Sequence, residues 1–355
     1  MSGTSLDGID VVLGDVGAAG PVVKGSLHLP LASDLRAELL ALNQQGNDEL
    51  RRAALAANEL TRSYAAGVCA LLADCEVHAD AITAIGCHGQ TVRHEPAAGY
   101  TIQLMNGALL AELTGIDVVC DFRSRDVAAG GQGAPLVPAF HHAIFSGGAV
   151  HRVIVNIGGI SNVTDLPSSG PVTGFDCGPG NVLLDAWAQR HTGQPFDRDG
   201  AWGKSGRVLP ELLQRLLAAE YFQRLPPKSA GRQTFGMDWL SCALIGREEA
   251  ADVQATLMEL TARTIADAAC RLSPQTGEVY LCGGGARNVA LSDALACAVA
   301  PRKLATTDVL GVSAEHVEAL AFAWLAGEAC AGRSANLPAV TGAHGPRILG
   351  ALYRA

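Results

Sequence analysis

The sequence predicts a two-lobed α/β protein. The chain has 355 residues, which is more than one hydrophobic core usually supports, so two lobes around a cleft are expected. Apolar residues make up 48% of the chain and charged residues 17%, and there are 41 glycines. This balance is typical of strands and helices joined by glycine turns, and it excludes a disordered or fibrous chain.

Charge and cysteine usage narrow the range of partners. The formal net charge of -9 disfavours nucleic acid and anionic membranes. The ten cysteines form no CxxC pair, so we expect reduced thiols that pack as small apolar side chains. Neither a run of about 18 apolar residues nor a signal-peptide pattern occurs. We therefore expect a cytoplasmic protein with no membrane or nucleic-acid partner.

The chain opens with a polar glycine turn at residues 1–10, and a strand over 11–14 follows. Its serine, threonine and aspartate side chains are typical of a turn that binds phosphate through amide and hydroxyl groups. An aspartate in such a turn can also hold a metal-bound water. An ordinary hairpin turn is the alternative interpretation.

Helical periodicity predicts two helices over residues 34–73. A buried strand over 81–87 then ends in a polar segment that contains His88 and Gln90. Polar groups at the carboxyl ends of strands line the ligand crevice of open α/β sheets, so this segment is a candidate binding site. For the histidine, a structural role is an equally good interpretation.

A helix over 108–113 lies between predicted strands at 100–104 and 117–120. Arg123 comes shortly after the second of these strands. The next segment, 129–138, is rich in glycine and proline, and this change in composition indicates a hinge between the lobes.

The second half begins with a strand, a glycine turn and a strand over residues 152–166. Its turn contains Gly158 and Gly159 and resembles the opening turn in its small polar residues. Such an internal echo predicts two related lobes, each of which points a hairpin turn at a shared ligand.

The most informative stretch is residues 174–181, where glycines surround Asp176 and a helical pattern follows at once. Asn181 is placed to cap this helix. We expect Asp176 to lie on a loop that faces the positive end of the helix dipole, which would keep its carboxylate ionised. The alternative is a simple turn or cap residue.

A long helix is predicted over 252–272, and a strand over 278–282 then breaks into Gly283, Gly284 and Gly285 before a helix over 289–298. Backbone without side chains can approach flat or anionic ligands closely, so this turn suits an adenosine pocket. A triple glycine alone is weak evidence.

Eight ordered motifs resemble those of the anhydro-N-acetylmuramic acid kinase family, within the superfamily of actin, sugar kinases and heat-shock chaperones. They span nearly the whole chain. The motifs are MSGTSLDGID (1–10), HGQTV (88–92), DFRSRDVAAGGQGAPLVP (121–138), NIGGISN (156–162), FDCGPGN (175–181), PKS (227–229), CGGGARN (282–288) and TGA (341–343).

This resemblance implies an α/β actin-like ATPase fold, made of two ribonuclease H-like lobes around a central cleft. We place the N-terminal lobe at 1–128 plus 335–355 and the C-terminal lobe at 129–334. The implied reaction uses ATP and Mg²⁺ to convert 1,6-anhydro-N-acetylmuramic acid to N-acetylmuramic acid 6-phosphate in peptidoglycan recycling. Water would open the anhydro ring, and a homodimer is one alternative for the oligomeric state.

The resemblance also implies roles for single residues. Asp176 would be the general base that deprotonates the attacking water. The proposed nucleotide site consists of Gly3, Thr4, Ser5, Leu6, Asp7, Gly8, Ile9, Asp10, Gly158, Gly159, Gly283, Gly284 and Gly285, with Asp7 or Asp10 near the metal. The candidate sugar contacts are His88, Gln90, Arg123, Asp126, Gln132 and Glu318.

Arg123 suits the lactyl carboxylate of such a sugar, because its planar fork can form two parallel hydrogen bonds with it. A mutual surface ion pair between Arg123 and Asp126 is the alternative. Family members normally have several residues before the opening turn, which form the first strand of the sheet. We therefore expect this chain to bind ATP more weakly, and to be less stable, than one extended upstream.

Two rival functions remain open at this point. One is a kinase of the same superfamily that acts on another sugar or a small acid. The other is a non-catalytic ATP-dependent clamp or scaffold, which would bind peptide or polymerise without sugar turnover.

Overall fold

The computed structural model describes residues 1–3, 6, 8–17, 20–147, 150–231, 233–272 and 277–355. Three residues predicted in the nucleotide turn, Thr4, Ser5 and Asp7, lie outside these ranges.

The strands are numbered in chain order. They are β1 (Gly8–Asp15), β2 (Val22–Pro30), β3 (Ile85–Gly86), β4 (Gln90–Glu95), β5 (Tyr100–Leu104), β6 (Val118–Cys120), β7 (Arg152–Ile157), β8 (Ile160–Leu166), β9 (Thr173–Pro179), β10 (Glu278–Cys282), β11 (Lys303–Thr306) and β12 (Ala351–Tyr353).

The α-helices are numbered in the same way. They are α1 (Ser33–Ala41), α2 (Glu49–Asp74), α3 (Gly107–Thr114), α4 (Ser124–Ala128), α5 (Val137–Phe145), α6 (Asn181–Thr192), α7 (Ala201–Ser205), α8 (Pro210–Leu217), α9 (Glu220–Gln223), α10 (Met237–Ala243), α11 (Ala250–Leu272), α12 (Val289–Val299), α13 (Val317–Cys330) and α14 (Pro338–Thr341).

The chain divides into two compact units. Unit 1 consists of Met1–Phe140 and His316–Ala355, and unit 2 of His141–Glu315. The first division therefore falls inside α5. The sequence places the corresponding lobe boundaries after residues 128 and 334. The central cleft predicted between the two lobes remains a prediction.

Unit 2 is built on a five-stranded sheet in the order β11-β10-β7-β8-β9. Strands β7, β8 and β9 form an antiparallel meander, and β10 and β11 run parallel to β7. A meander followed by two strands parallel to its first is the ribonuclease H-like arrangement that the predicted fold requires of a lobe. The predicted α/β class is confirmed.

The two faces of this sheet differ in chemistry. Phe175 and Cys177 of β9 pack with valines of β7 and β8 in a core that includes Ile265 of α11 and Leu291 of α12. Because side chains alternate along a strand, residue 176 belongs to the opposite face. The opposite face therefore carries Asp176 together with buried apolar residues such as Ile154 and Leu166.

Unit 1 contains smaller sheets. Strands β1 and β2 form an antiparallel pair, β4 pairs with β5, and β6 lies between β3 and β12. Helices α1, α2 and α3 contribute Leu39, Leu60 and Leu110 to a shared core with β1 and β6. This core includes Cys87, just before two of the predicted sugar contacts, His88 and Gln90.

Two sequence predictions for unit 1 need correction. The strand predicted over 81–87 is reduced to β3, because residues 79–81 form a 3-10 turn instead. The segment 129–138 was predicted to be a hinge, but backbone hydrogen bonds hold it to other residues of unit 1. The amide of Gly131 donates to the carbonyl of Asp126, and that of Gln132 to the carbonyl of Thr341.

Candidate active site

Asp176 lies in the middle of strand β9 and not on a loop, as its glycine neighbours had suggested. The pattern Phe175-Asp176-Cys177 continues the alternation of the strand, with the apolar side chains in the core. Asp176 is only 5% exposed. Its position is therefore set by the sheet and not by a flexible turn.

The segment 228–230 covers Asp176. The backbone amide of Asp176 donates to the carbonyl of Lys228 at 3.3 Å, and its Oδ2 accepts from the amide of Ala230 at 2.8 Å. The Tyr221 hydroxyl donates to the Asp176 carbonyl at 2.6 Å. Backbone and carboxylate are both held, so the direction of the carboxylate is fixed.

Lys228 is a cation whose charge acts on this group. Its ammonium lies 4.7 Å from the centre of the Tyr221 ring and 5.5 Å from that of Phe175. Burial lowers the pKa of Lys228, and the opposing charge of Asp176 works against this shift. Burial also raises the pKa of Tyr221, which keeps its hydroxyl protonated as the donor to Asp176.

Asn162 is a polar neighbour of Asp176 that the motif analysis did not single out. It pairs with Asn156 on one side and with Asp176 on the other, so the three residues form a row across β7, β8 and β9. Opposite residues in antiparallel strands share a face, with Cβ atoms about 5 Å apart. Within the described part of the chain, Oδ1 of Asn162 is buried and has no hydrogen-bond partner.

The turn between β7 and β8 closes onto the start of α6. The amides of Gly180 and Val182 donate to the carbonyl of Gly159, and that of Asn181 to the carbonyl of Gly158. Asn181 is thus the first helical residue and not the cap. Gly180 holds the cap position without a side-chain bond.

The triple-glycine turn lies against the same region. Gly283 has φ +80°, and a Cβ there would collide with Oδ1 of Asn156 and lie 2.8 Å from the carbonyl oxygen of Ile157. A Cβ on Gly285 would lie 3.0 Å from Oδ1 of Asn181. The structure therefore brings together three segments predicted from sequence, namely residues 158–159, 283–285 and the start of α6.

The described ends of the opening segment in unit 1 pair with each other. Met1 and Asp10 exchange two backbone hydrogen bonds of 2.7 and 2.8 Å. Leu6 and Ile9 are buried, whereas Asp10 is exposed and its Oδ1 lies 2.8 Å from Nδ1 of His28. Of the two predicted metal ligands, Asp10 is thus on the surface, and Asp7 lies outside the described residues.

His88 and Arg123 are in direct contact in unit 1. Nε of Arg123 donates to Nε2 of His88 at 3.0 Å, and NH1 donates to the carbonyl of Gly133 at 2.6 Å. His88 is 6% exposed. Burial holds its pKa well below the ordinary value, and the charge of Arg123 lowers it further.

Asp126 is fully buried and contacts the protein itself. Its Oδ2 accepts from the amide of Gly133, and its Oδ1 accepts from the side chains of Asn336 and Thr341, all at 2.7 to 2.8 Å. A fully buried carboxylate cannot form a surface ion pair with Arg123, so that alternative is wrong. Asp126 instead links the segment after β6 to the last part of the chain.

The remaining sugar candidates also lie in unit 1. Gln90 is 4% exposed, and within the described residues its Oε1 is buried without a hydrogen-bond partner. Burial raises the pKa of Glu318 on α13, while the charge of Arg123 opposes this shift. Gln132 is held through its backbone amide by Thr341. Gln90 and Glu318 thus have polar groups to offer a ligand.

The sequence matches the model of a known protein family. The family model described as anhydro-N-acetylmuramic acid kinase matches residues 1–355, the whole chain. The chain belongs to the anhydro-N-acetylmuramic acid kinase family. The prediction that it is an enzyme, a phosphotransferase of this family, is confirmed.

Curated relatives agree with this family over almost their full length. The chain is 54% identical to an anhydro-N-acetylmuramic acid kinase of Nitrosomonas europaea and 56% identical to one of Nitrosospira multiformis. It is 52% identical to one of Pseudomonas paraeruginosa. Each alignment covers 100% of this chain and 98% of the relative.

Solved structures give more distant matches. An activator of 2-hydroxyisocaproyl-CoA dehydratase from Clostridium difficile, with bound ADPNP, matches with a TM-score of 0.45 and 12% identity over 88% of both chains. A ROK hexokinase from Thermus thermophilus matches with a TM-score of 0.36 and 14% identity over 89% of this chain and 97% of the other.

Among the described residues, no group of three or more histidine, cysteine, aspartate or glutamate side chains could hold a metal ion. In the same ranges, no helix is both long and apolar enough to cross a membrane.

Proposed function

We propose that this kinase opens 1,6-anhydro-N-acetylmuramic acid with water and phosphorylates the released 6-oxygen. The products are N-acetylmuramic acid 6-phosphate and ADP, and the pathway is the recycling of peptidoglycan in the cytoplasm. Family membership over the whole chain supports the substrate, and the named activity of relatives more than half identical to the chain supports it as well.

The observation that carries the hydrolytic step is the buried, oriented carboxylate of Asp176. In the proposed reaction, water attacks C1 of the sugar and transfers a proton to this carboxylate. The bond between C1 and O6 breaks, and O6 attacks the γ-phosphorus of ATP as ADP leaves. A general base requires a fixed direction, which the amide of Ala230 provides by holding Oδ2 at 2.8 Å.

The glycine turns are the proposed nucleotide elements of unit 2. Residues 158–159 and 283–285 present backbone without side chains near Asn181. Such backbone can approach phosphate oxygens and an adenine ring more closely than any substituted residue. Phosphoryl transfer depends mainly on positioning and charge neutralisation, so a rigid cradle of this kind suits it.

Mg²⁺ is a proposed cofactor, and Asp10 is the described residue that suits it. Magnesium is usually bound by one or two carboxylates together with substrate phosphates, so a cluster of protein ligands is not needed. Asp10 has an exposed carboxylate near the start of β1, at the end of the predicted phosphate turn. When bound, the ion would neutralise charge on the phosphates.

Arg123 is the proposed contact for the lactyl carboxylate of the sugar. Its guanidinium is held by His88 and by the carbonyl of Gly133. A guanidinium fixed in this way can form a bidentate pair with a carboxylate at a small entropic cost.

The test is a product assay with ATP, Mg²⁺ and a panel of sugars. We expect 1,6-anhydro-N-acetylmuramic acid to yield one ADP and one N-acetylmuramic acid 6-phosphate per turnover, as measured by mass spectrometry. If another sugar were phosphorylated while this one was not, the proposal would be wrong.

A further inference from the structure

The hydrogen bonds of His88 specify one form of its ring. Nδ1 lies 2.8 Å from the carbonyl oxygen of Gly89, which can only accept, so Nδ1 carries the proton. Nε2 lies 3.0 Å from Nε of Arg123, which can only donate, so Nε2 presents its lone pair. Both ring nitrogens are thus occupied by the protein, with His88 as the neutral Nδ1–H tautomer.

The surroundings keep this ring neutral. Burial lowers the pKa of His88 most, and the positive charges of Arg123, the Met1 amino group and His94 lower it further. The carbonyl of Gly89 acts in the opposite direction. The Phe322 ring covers the imidazole at a centroid distance of 4.7 Å. A protonated ring could not accept from Arg123, so the neutral form is the one that makes this contact.

The other end of Arg123 is fixed through a buried carboxylate. NH1 of Arg123 donates to the carbonyl of Gly133, and the amide of Gly133 donates to Oδ2 of Asp126. Gly133 has φ +65°, and a Cβ there would lie 2.7 Å from a methyl carbon of Val127. The peptide that receives the arginine is therefore held on both sides.

We propose that His88 is a positioning residue for substrate recognition, which holds the planar guanidinium of Arg123 in the direction needed to bind the carboxylate of an acidic anhydro sugar. This inference rests on the proposed function, and it assigns His88 a role other than direct contact with the sugar. Two fixed bonds to a planar group define its plane, so the remaining N–H groups point in a set direction.

The selectivity of the kinase for a carboxylate-bearing sugar tests this role. We compare wild type, H88A and H88Q on 1,6-anhydro-N-acetylmuramic acid and on 1,6-anhydro-N-acetylglucosamine, which lacks the lactyl group. H88A should raise KM for the acidic sugar about ten- to a hundredfold, the usual range for a hydrogen bond to a charged group. It should change KM for the neutral sugar by less than about threefold.

H88Q is the matched variant, because its amide oxygen can accept from Nε of Arg123. It should recover most of the lost affinity for the acidic sugar. Melting temperatures of both variants, measured without ligand, identify any loss that comes from folding. Equal effects of H88A on the two sugars, or no recovery in H88Q, would overturn the proposal.

Nitrogen-15 spectra of the His88 ring test the geometry independently of turnover. We expect a protonated Nδ1 and an unprotonated Nε2 at neutral pH, and the reverse tautomer or a doubly protonated ring would overturn the inference. Failure of wild type to phosphorylate either sugar would contradict the proposed function instead, and the ring spectra would still decide the state of His88.

Discussion

Two buried aspartates, Asp126 and Asp176, differ in their surroundings and therefore in the roles that suit them. Asp126 is fully buried and both of its oxygens accept hydrogen bonds from within unit 1. Asp176 is also buried, but it lies in a polar row across the sheet, beside an asparagine whose Oδ1 has no described partner. The first arrangement supports structure, and the second is suited to hold a small polar ligand such as water.

Substitution of Asp126 should therefore reduce stability. D126A would remove the buried acceptor that the Gly133 amide, the Asn336 side chain and the Thr341 hydroxyl share. We expect a loss of about 2–5 kcal/mol in the free energy of unfolding, measured by urea denaturation. D74A, at the exposed end of α2, is the control and should change stability by less than about 0.5 kcal/mol. Equal effects of the two variants would contradict the assigned role.

His141 makes stability depend on pH. Burial lowers its pKa to about 3, from an ordinary value of 6.5, and its Nδ1 lies 2.8 Å from the Thr164 hydroxyl. The unfolded chain binds the proton first as the pH falls, so this contribution is intact above pH 6.5 and is lost progressively toward pH 3. At pH 4.5 the loss should be roughly 2–3 kcal/mol, from about 1.4 kcal/mol per pH unit.

Unfolding free energies of wild type and H141Q at pH 7.5 and 4.5 measure this effect. The wild-type protein should lose more stability than the variant across this interval, because glutamine does not titrate. H142Q, at the exposed neighbouring position, is the matched control and should behave as wild type does. Parallel pH dependences in wild type and H141Q would show that the prediction is wrong.

At the residue scale, the sequence identifies candidate functional side chains better than it predicts their positions in the fold. Asp176 was expected on a loop because glycines surround it, yet the alternation of Phe175 and Cys177 extends β9 through it. Asn162 could have been found from the same alternation, since it is opposite in phase to the buried Val163. The burial of Asp126 depends on Asn336 and Thr341, which lie some 200 residues away and have no local signal.

At the scale of elements, the glycine turns determine how the sheet of unit 2 ends. The turn after β7 uses its carbonyl groups to receive the first amides of α6, and the turn after β10 packs against Asn156 and Ile157. These contacts require backbone without side chains. Glycine patterns are visible in sequence, so the turns were predictable, whereas the partners that they contact were not.

Gly283 is the position where this requirement can be measured. G283A would combine a positive φ with a collision against Oδ1 of Asn156 and a 2.8 Å approach to the carbonyl oxygen of Ile157. G311A is the matched control, since Gly311 has φ +87° in the same unit and no atom within 4 Å of its would-be Cβ. We expect G311A to cost about 1 kcal/mol and G283A at least about 2 kcal/mol more.

The midpoints of urea denaturation of G283A and G311A measure this difference in stability. Nucleotide affinity, measured by calorimetry with a non-hydrolysable ATP analogue, should also fall in G283A and stay near the wild-type value in G311A. Equal stability and equal nucleotide affinity in the two variants would contradict the claim that this turn requires glycine at position 283.

At the scale of the whole molecule, the α/β class and the enzyme family follow from sequence because motifs are spread over the entire chain. The meander of β7, β8 and β9 with two parallel strands agrees with the predicted lobe architecture. The division into units at residues 140 and 315 was harder to predict, because it falls inside α5 and just before α13. Continuous helical patterns give no local signal for such a division.

The central claim is that Asp176 activates water for a kinase that opens its sugar. The most direct measurement is the turnover number of D176N with 1,6-anhydro-N-acetylmuramic acid, ATP and Mg²⁺, beside wild type and D165N. Asp165 is a suitable control because it is buried in the same meander but bonded to His151. We predict that D176N loses at least about a hundredfold in kcat with nucleotide affinity retained, and that D165N stays active. Turnover of D176N within a few-fold of wild type would contradict the claim.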